Sequence, residues 1–191
     1  MIGRRVLALG AIGLAAPAAR AQTRYMQGTK QRTVRFAGSG GAMLAGTLLL
    51  PMVSEIQYVP GVVLIAGSGP TDRDGNNPLV PVRIDSLKQI AETLVRAGIA
   101  TLCYDKRGIG GSAASPGTLA EQERFFAWEN FVGDVQAAHA ELLKHDEIKP
   151  YATAMLGHSE GGLLALAAVP RISWRRPHAI VLASTPGYAL D

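Results

Sequence analysis

The sequence has few of the residues that mark a disulfide-rich or a nucleic-acid-binding protein. Its 191 residues include one cysteine, Cys103, so no disulfide can form within the chain. That thiol lies in the apolar run IATLCYD and is expected to be buried. Aromatic residues make up only 6% of the chain, and no basic run is interleaved with them. These absences exclude a disulfide scaffold and give no support to nucleic-acid binding.

Charged residues are also scarce, at 18%, whereas hydrophobic residues reach 48%. That balance is typical of a folded globular protein and excludes a disordered one. A chain of 191 residues fits one domain. No internal repeat, low-complexity tract or interdomain linker interrupts it.

Residues 1–21 have the layout of a cleavable secretory signal peptide. A basic start, MIGRR, precedes the apolar run VLALGAIGLAAPAA and the small-residue site ARA, which predicts cleavage before Gln22. The apolar run is too short for a stable membrane span, which needs about 20 residues. We therefore expect a periplasmic or secreted protein, exported by the Sec route or, since Arg4 and Arg5 are adjacent, by the twin-arginine route. The mature domain would comprise residues 22–191.

Removal of this leader changes the charge of the protein. The leader carries three arginines and no acids, so 16 basic and 15 acidic residues remain, and the formal net charge falls from +4 to +1. The basic character of the whole chain therefore belongs mainly to the leader. We expect no nucleic-acid partner for the mature chain.

The mature chain alternates predicted strands with predicted helices. Apolar runs typical of buried strands occur at 61–67, 99–105, 152–157 and 178–184. Apolar residues at helical spacing predict helices over 84–95, 128–142 and 160–169. This alternation predicts an α/β fold, a mostly parallel sheet with helices on both faces. An antiparallel hairpin at the N-terminus, over 33–51, is expected to add an edge to the sheet.

The segment GHSEGG places a serine between a predicted strand and a predicted helix. Gly157, Ser159 and Gly161 match the pattern G-x-S-x-G, in which a sharp turn lifts the serine hydroxyl above the strand ends. A purely structural turn is the alternative interpretation, because glycine-rich turns are common. The setting between a buried strand and an apolar helix favours Ser159 as a catalytic nucleophile.

A serine nucleophile needs an oxyanion hole as well as a base. One donor is expected to be the backbone N–H of Glu160, the residue after the nucleophile. The second is expected from the loop AGSGPTDRDGNNP after the third strand, where the N–H of Ser68 or Gly69 is the candidate. A connecting turn is the alternative, and a phosphate-binding loop is disfavoured because no G-K-[ST] follows.

Three motifs, AGSGPTDRDGNNP, YDKRGIGGS and GHSEGG, occur in this order. Together they resemble the α/β-hydrolase superfamily, and especially exported bacterial serine esterases of the EstD type, which are related to prolyl-oligopeptidase-like hydrolases. The resemblance implies hydrolysis of a small-molecule acyl ester through an acyl-enzyme, with no metal or organic cofactor. At the matching positions Ser159 is the nucleophile, and Glu160 with the Ser68–Gly69 region forms the oxyanion hole. Ala66 departs from the family, in which many members carry histidine there.

Charged residues beside these motifs are expected to be structural. Arg107, in YDKRGIGGS, is expected to pair with a nearby acid. Asp72, Arg73 and Asp74 are expected to fix their loop through mutual ion pairs, with substrate binding as the alternative.

Residues that would activate Ser159 are hard to find in the sequence. The superfamily order is Ser, then Asp or Glu, then His. After Ser159 the acids are Glu160 and Asp191, and the one histidine is His178. Glu160 opens the helix, and His178 opens a strand at the end of the sheet opposite the active site.

The other histidines are no better placed. His139 is expected to face solvent or pack locally, His145 to lie at the far end of its helix, and His158 to point away from Ser159. The last strand would also lack a partner for its outer edge. We therefore expect the N-terminal portion of a serine hydrolase, inactive alone. A truncated gene product, a partial gene model and a separately encoded C-terminal part are open alternatives, as are an acyltransferase, a peptidase and a non-catalytic binding scaffold.

Overall fold

The computed structural model describes residues 28–52, 58–114 and 117–187. The predicted signal peptide and Asp191 lie outside the described residues. The strands are β1 (Gly28–Ala37), β2 (Met43–Met52), β3 (Val59–Ile65), β4 (Ala100–Tyr104), β5 (Ile148–His158) and β6 (Ala179–Ala183). The helices are α1 (Ser86–Arg96), α2 (Leu119–Phe125), α3 (Trp128–Leu142) and α4 (Glu160–Ala168), with short 3-10 turns at Ser39–Gly41, Gly110–Ser112 and Val169–Arg171.

All the described strands belong to one mixed sheet in the order β1-β2-β4-β3-β5-β6. The strands β4, β3, β5 and β6 run parallel to one another. The hairpin of β1 and β2 is antiparallel, and β2 also joins β4 in the antiparallel sense. The predicted fold class, a mostly parallel sheet with an N-terminal antiparallel hairpin, is confirmed.

Helices cover both faces of this sheet. The larger core lies on the face of α3 and α4, where Val132, Val135 and Leu164 are buried against the strands. The smaller core lies under α1 and includes Ala91 and Cys103, so the predicted burial of the thiol is confirmed. Because the apolar face of each helix packs on the sheet, the carboxyl ends of β3, β4 and β5 are left for loops.

Two helix predictions need correction. The helix predicted from Ile84 begins at Ser86, because Ile84 is exposed in the preceding loop. The sequence reading missed α2, which is short and buries no residue. Its signal was the capping box of Thr118 and Glu121, in which the Glu121 side chain accepts the Thr118 N–H at 2.9 Å.

The strand β6 is less buried than its apolar sequence predicts. It pairs with β5 along its length, and Ile180 packs against the larger core. Val181 and Leu182 remain 48% and 47% exposed. The helix α1 packs on β2 and β4, so it lies away from this edge of the sheet. The prediction that the apolar run at 178–184 forms a buried strand is therefore wrong within the described residues.

Candidate active site

Ser159 lies at the sharp turn between β5, which ends at His158, and α4, which begins at Glu160. Its backbone has φ 53° and ψ −123°, a conformation that L-residues rarely adopt. The Ser159 N–H donates to the carbonyl of Ala183 at 2.8 Å, and its own carbonyl accepts the N–H of Gly162 at 3.0 Å. The surrounding chain therefore fixes the strained turn from both sides.

Both glycines of the G-x-S-x-G pattern are required by close backbone contacts. A methyl group on Gly157 would lie 2.3 Å from the carbonyl carbon of Gly161. A methyl group on Gly161 would lie 2.4 Å from the carbonyl oxygen of Ile65, at the end of β3. Any larger residue would separate α4 from the sheet, so the turn depends on these two glycines.

The loop after β3 lies beside Ser159. A methyl group on Gly67 would be 3.3 Å from Cβ of Ser159, and Ser68 and Ser159 line one cavity of about 190 Å³. Gly69 adopts φ 76° at the turn of this loop and is not among the lining residues. Glu160 is the first residue of α4, so its N–H has no acceptor within the helix. The roles of Ser68, Gly69 and Glu160 as oxyanion donors stay predictions.

Lys106 joins the loop after β3 to the first residue of α4. The sequence analysis did not identify it as a site residue. Its ammonium Nζ donates to the carbonyl of Gly67 at 3.0 Å and to Oε2 of Glu160 at 2.9 Å. Its side chain is 8% exposed, and Nζ lies 5.0 Å from the centre of the Phe131 ring. The one available signal was a lysine two residues after the end of β4, at the edge where the carboxyl ends of the strands meet.

Arg73 fixes its loop through Asp105 rather than through its neighbours. Its Nε and Nη2 donate to the two oxygens of Asp105 at 3.0 and 2.5 Å, and its N–H donates to Oδ1 at 2.8 Å. Burial alone would raise the pKa of Asp105, but these bonds and the Gly111 N–H hold it below its ordinary value. Asp72 accepts the backbone N–H of Asp74 instead. The expectation of mutual ion pairs is corrected, although the role remains structural.

Arg107 has the structural role predicted for it. Its Nε and Nη2 donate to the two oxygens of Asp134 at 2.8 and 2.6 Å, and both side chains are 1% exposed. The guanidinium also donates to the backbone carbonyls of Phe125, Ser39 and Asn130. The arginine thereby attaches the loop after β4 to α3 and to the β1–β2 turn.

The histidines distant in sequence from Ser159 are also distant from it in the fold. His139 is buried and hydrogen-bonds Thr153 Oγ1 at 3.0 Å, and burial lowers its pKa to about 4. It packs locally, so the alternative that it faces solvent is wrong. His145 lies beyond α3, 3.8 Å from Glu141. His178 directly precedes β6. The opposite end of that strand, Ala183, pairs with His158, so His178 and Ser159 lie at opposite ends of β6.

His158 needs a partial correction, because it lines the same cavity as Ser159. It is exposed and makes no hydrogen bond to Ser159. In the described part of the chain, no histidine or carboxylate hydrogen-bonds the hydroxyl of Ser159, and all four histidines lie in that part. Glu160 directs its carboxylate to Lys106 instead.

Within 28–52, 58–114 and 117–187, no group of three or more histidine, cysteine, aspartate or glutamate side chains could hold a metal ion. No helix in those ranges is long and apolar enough to cross a membrane.

The sheet order, the strained serine turn and the loop after β3 define an α/β hydrolase. Residues 83–189, more than half of the chain, match the family described as "Serine aminopeptidase, S33". The chain belongs to this family of α/β hydrolases.

Several solved structures are similar to this chain. A hypothetical protein from Pseudomonas aeruginosa is 23% identical, with a TM-score of 0.65 over 83% of this chain and 43% of that chain. The α/β hydrolase GrgF from Penicillium sp. sh18 is 22% identical, with a TM-score of 0.58 over 82% and 46%. The esterase Est22 is 16% identical, with a TM-score of 0.61 over 83% and 45%.

At these identities the similarity shows a shared fold. The chain spans less than half the length of each of these three proteins. No curated protein sequence matches it.

Proposed function

We propose that this chain carries the nucleophile and the oxyanion hole of a serine hydrolase that cleaves carboxylic esters or related acyl bonds. The observation that carries the proposal is Ser159 at a strained turn beyond the carboxyl ends of parallel strands, beside the loop after β3. Ligands of open α/β sheets bind at that edge. A serine held there at positive φ presents its hydroxyl to a substrate.

In the proposed reaction the hydroxyl oxygen of Ser159 attacks the acyl carbon, and the alcohol leaves to give an acyl-enzyme, which water then hydrolyses. The negative oxygen of the tetrahedral intermediate would accept the N–H of Glu160 and that of Ser68 or Gly69. The proton of Ser159 needs an acceptor. Because no imidazole or carboxylate reaches the hydroxyl among the described residues, we expect residues 22–191 alone to turn over slowly.

Peptide-bond cleavage on the same serine is the second candidate, and the family description favours it. An amide differs from an ester in that its leaving nitrogen must be protonated as the bond breaks, which requires a general acid. No histidine of this chain is hydrogen-bonded at Ser159 in the described residues. The described site therefore suits an activated ester better than a peptide.

The test uses purified residues 22–191, a fluorophosphonate probe, a short-chain nitrophenyl ester and an aminoacyl nitroanilide. We expect one adduct, located by peptide mass spectrometry on Ser159 and absent from S159A. Ser184 is the matched control, because it is exposed and also has a positive φ, of 52°. S184A should be labelled as fast as the unmodified chain.

Each outcome of this test has one meaning. An adduct spread over several serines contradicts Ser159 as nucleophile, and no adduct at all favours a non-catalytic scaffold. Rapid ester turnover that S159A abolishes contradicts only the claim that no base reaches the hydroxyl of Ser159. If H158A then abolishes the same turnover, His158 is the base. Faster cleavage of the nitroanilide than of the ester favours the peptidase.

A further inference from the structure

We propose that Lys106 is a positioning residue, which holds the two peptide groups expected to donate to the oxyanion at a fixed distance from each other. The inference rests on the proposed function, because it concerns the same site. It assigns a role to a buried cation that the proposed reaction itself does not use.

Lys106 orients one peptide group, the unit between Gly67 and Ser68. The carbonyl of Gly67 and the N–H of Ser68 belong to the same peptide unit, which is planar and trans, so the two bonds point in opposite directions. Lys106 donates to that carbonyl at 3.0 Å. The ammonium therefore fixes the plane of the peptide and directs the Ser68 N–H away from itself. A charged donor on the carbonyl also polarises the N–H and makes it a stronger donor.

The same ammonium also holds Glu160, at the start of α4. Lys106 donates to Oε2 of Glu160 at 2.9 Å, and Glu160 also carries the N–H expected to be the other oxyanion donor. One cation thus links the loop after β3 to the first residue of α4. The face of Phe131, 5.0 Å from Nζ, occupies a further side of the ammonium. Little water competes for these contacts, because the lysine side chain is 8% exposed.

The neighbouring ion pairs do not supply the same link. Arg73 and Asp105 join the loop after β3 to the loop after β4. Arg107 and Asp134 join the loop after β4 to α3. Neither pair hydrogen-bonds the turn that carries Ser159 in the described part of the chain. Loss of Lys106 should therefore leave those loops attached while the two oxyanion donors move relative to each other.

The test compares K106M, which keeps most of the side-chain length, with K144M as the matched control. Lys144 is 68% exposed and pairs only with Glu141 in the described residues. The first measurement is the amide spectrum of 15N-labelled protein, which reports the hydrogen bonding of the Ser68 and Glu160 N–H groups without any catalysis. We expect both resonances to shift and both amides to exchange faster in K106M, and neither to change in K144M.

The second measurement is the rate of fluorophosphonate labelling per folded molecule, as a function of probe concentration. Removal of one oxyanion donor slows enzymes about 100- to 1,000-fold, so displacement of a donor should slow the labelling step about 10- to 100-fold. The half-saturating probe concentration should change less than about twofold, since Lys106 does not line the cavity at Ser159. K106R keeps charge and donors and should recover part of the rate.

Two results would overturn the proposal. One is K106M with unchanged Ser68 and Glu160 resonances. The other is K106M that is less stable in urea yet labelled at the normal rate once the folded fraction is taken into account. If the unmodified chain forms no adduct at Ser159, the proposed function fails, and the amide spectra still decide the positioning role. If K106M does not fold, E160Q, which keeps an acceptor oxygen but loses the charge, must shift the Ser68 resonance, and an unchanged Ser68 resonance overturns the proposal.

Discussion

Removal of the buried cation Arg107 should strongly destabilise the protein. In R107M the bidentate bonds to Asp134, at 2.8 and 2.6 Å, are lost while the carboxyl group stays 1% exposed. Breaking a buried ion pair by removing one partner costs about 3–5 kcal/mol. Small domains are stable by about 5–15 kcal/mol. We therefore expect R107M to lose roughly a fifth or more of the free energy of unfolding.

The loss should also depend on pH. Burial raises the pKa of Asp134, and the hydrogen bonds and charge of Arg107 oppose that rise. R107M removes the hydrogen bonds and the charge of Arg107. The pKa of Asp134 in the folded state therefore rises further above its unfolded value. The folded state then binds more protons than the unfolded state, and stability falls as pH increases through that window. The difference between R107M and the unmodified chain should therefore be larger at pH 8 than at pH 5.

The assay is urea unfolding of residues 22–191, followed by circular dichroism at both pH values. R124M is the matched control, because Arg124 is exposed, and it should change stability by less than about 0.5 kcal/mol. The double variant R107M/D134L removes the unpaired carboxylate and should regain most of the loss. A loss below about 1 kcal/mol in R107M, or an equal loss at pH 5 and pH 8, would refute the reasoning.

Two further predictions concern buried groups near the sheet. Because burial lowers the pKa of His139 from 6.5 to about 4, the unfolded state binds more protons between these values, and stability is lost as pH falls through them. H139Q should remove about 2–3 kcal/mol of the difference in unfolding free energy between pH 7 and pH 4.5, and an unchanged difference would show that another group titrates. In G161A the added methyl meets the Ile65 carbonyl at 2.4 Å, so the variant should lose about 1–3 kcal/mol and most labelling. The control is G187A, where the added methyl meets open space, and it should retain both its stability and its labelling. A G161A variant that is fully labelled would contradict the close packing.

The fold was predictable because its signals are local. Buried strands of the parallel part are continuous apolar runs, as at 61–67, and α3 follows the helical spacing of its apolar residues from Trp128 to Leu142. The exposure of β6 was not predictable, because an apolar run looks the same at an edge as in the middle of a sheet. The short helix α2 buries nothing, so its sequence has no apolar period to recognise.

The candidate site likewise has one part that was predictable from a local pattern and one part that was not. The turn at Ser159 is encoded within five consecutive residues, so its position was predictable from the G-x-S-x-G pattern. The contacts of Lys106 join residues 39 and 54 positions away along the chain. Asp105, Lys106 and Arg107 are three consecutive charged residues. No local sequence pattern shows which of them will contact the loop after β3, the turn at Ser159 or α3. Only the sheet order brings their partners together.

The most direct test of the account is peptide mapping of fluorophosphonate adducts on residues 22–191. We expect a single adduct on Ser159, retained in S184A and H158A and absent from S159A, with slow ester turnover. An adduct that persists in S159A, or labelling spread evenly over exposed serines, would contradict the claim that this turn carries the nucleophile.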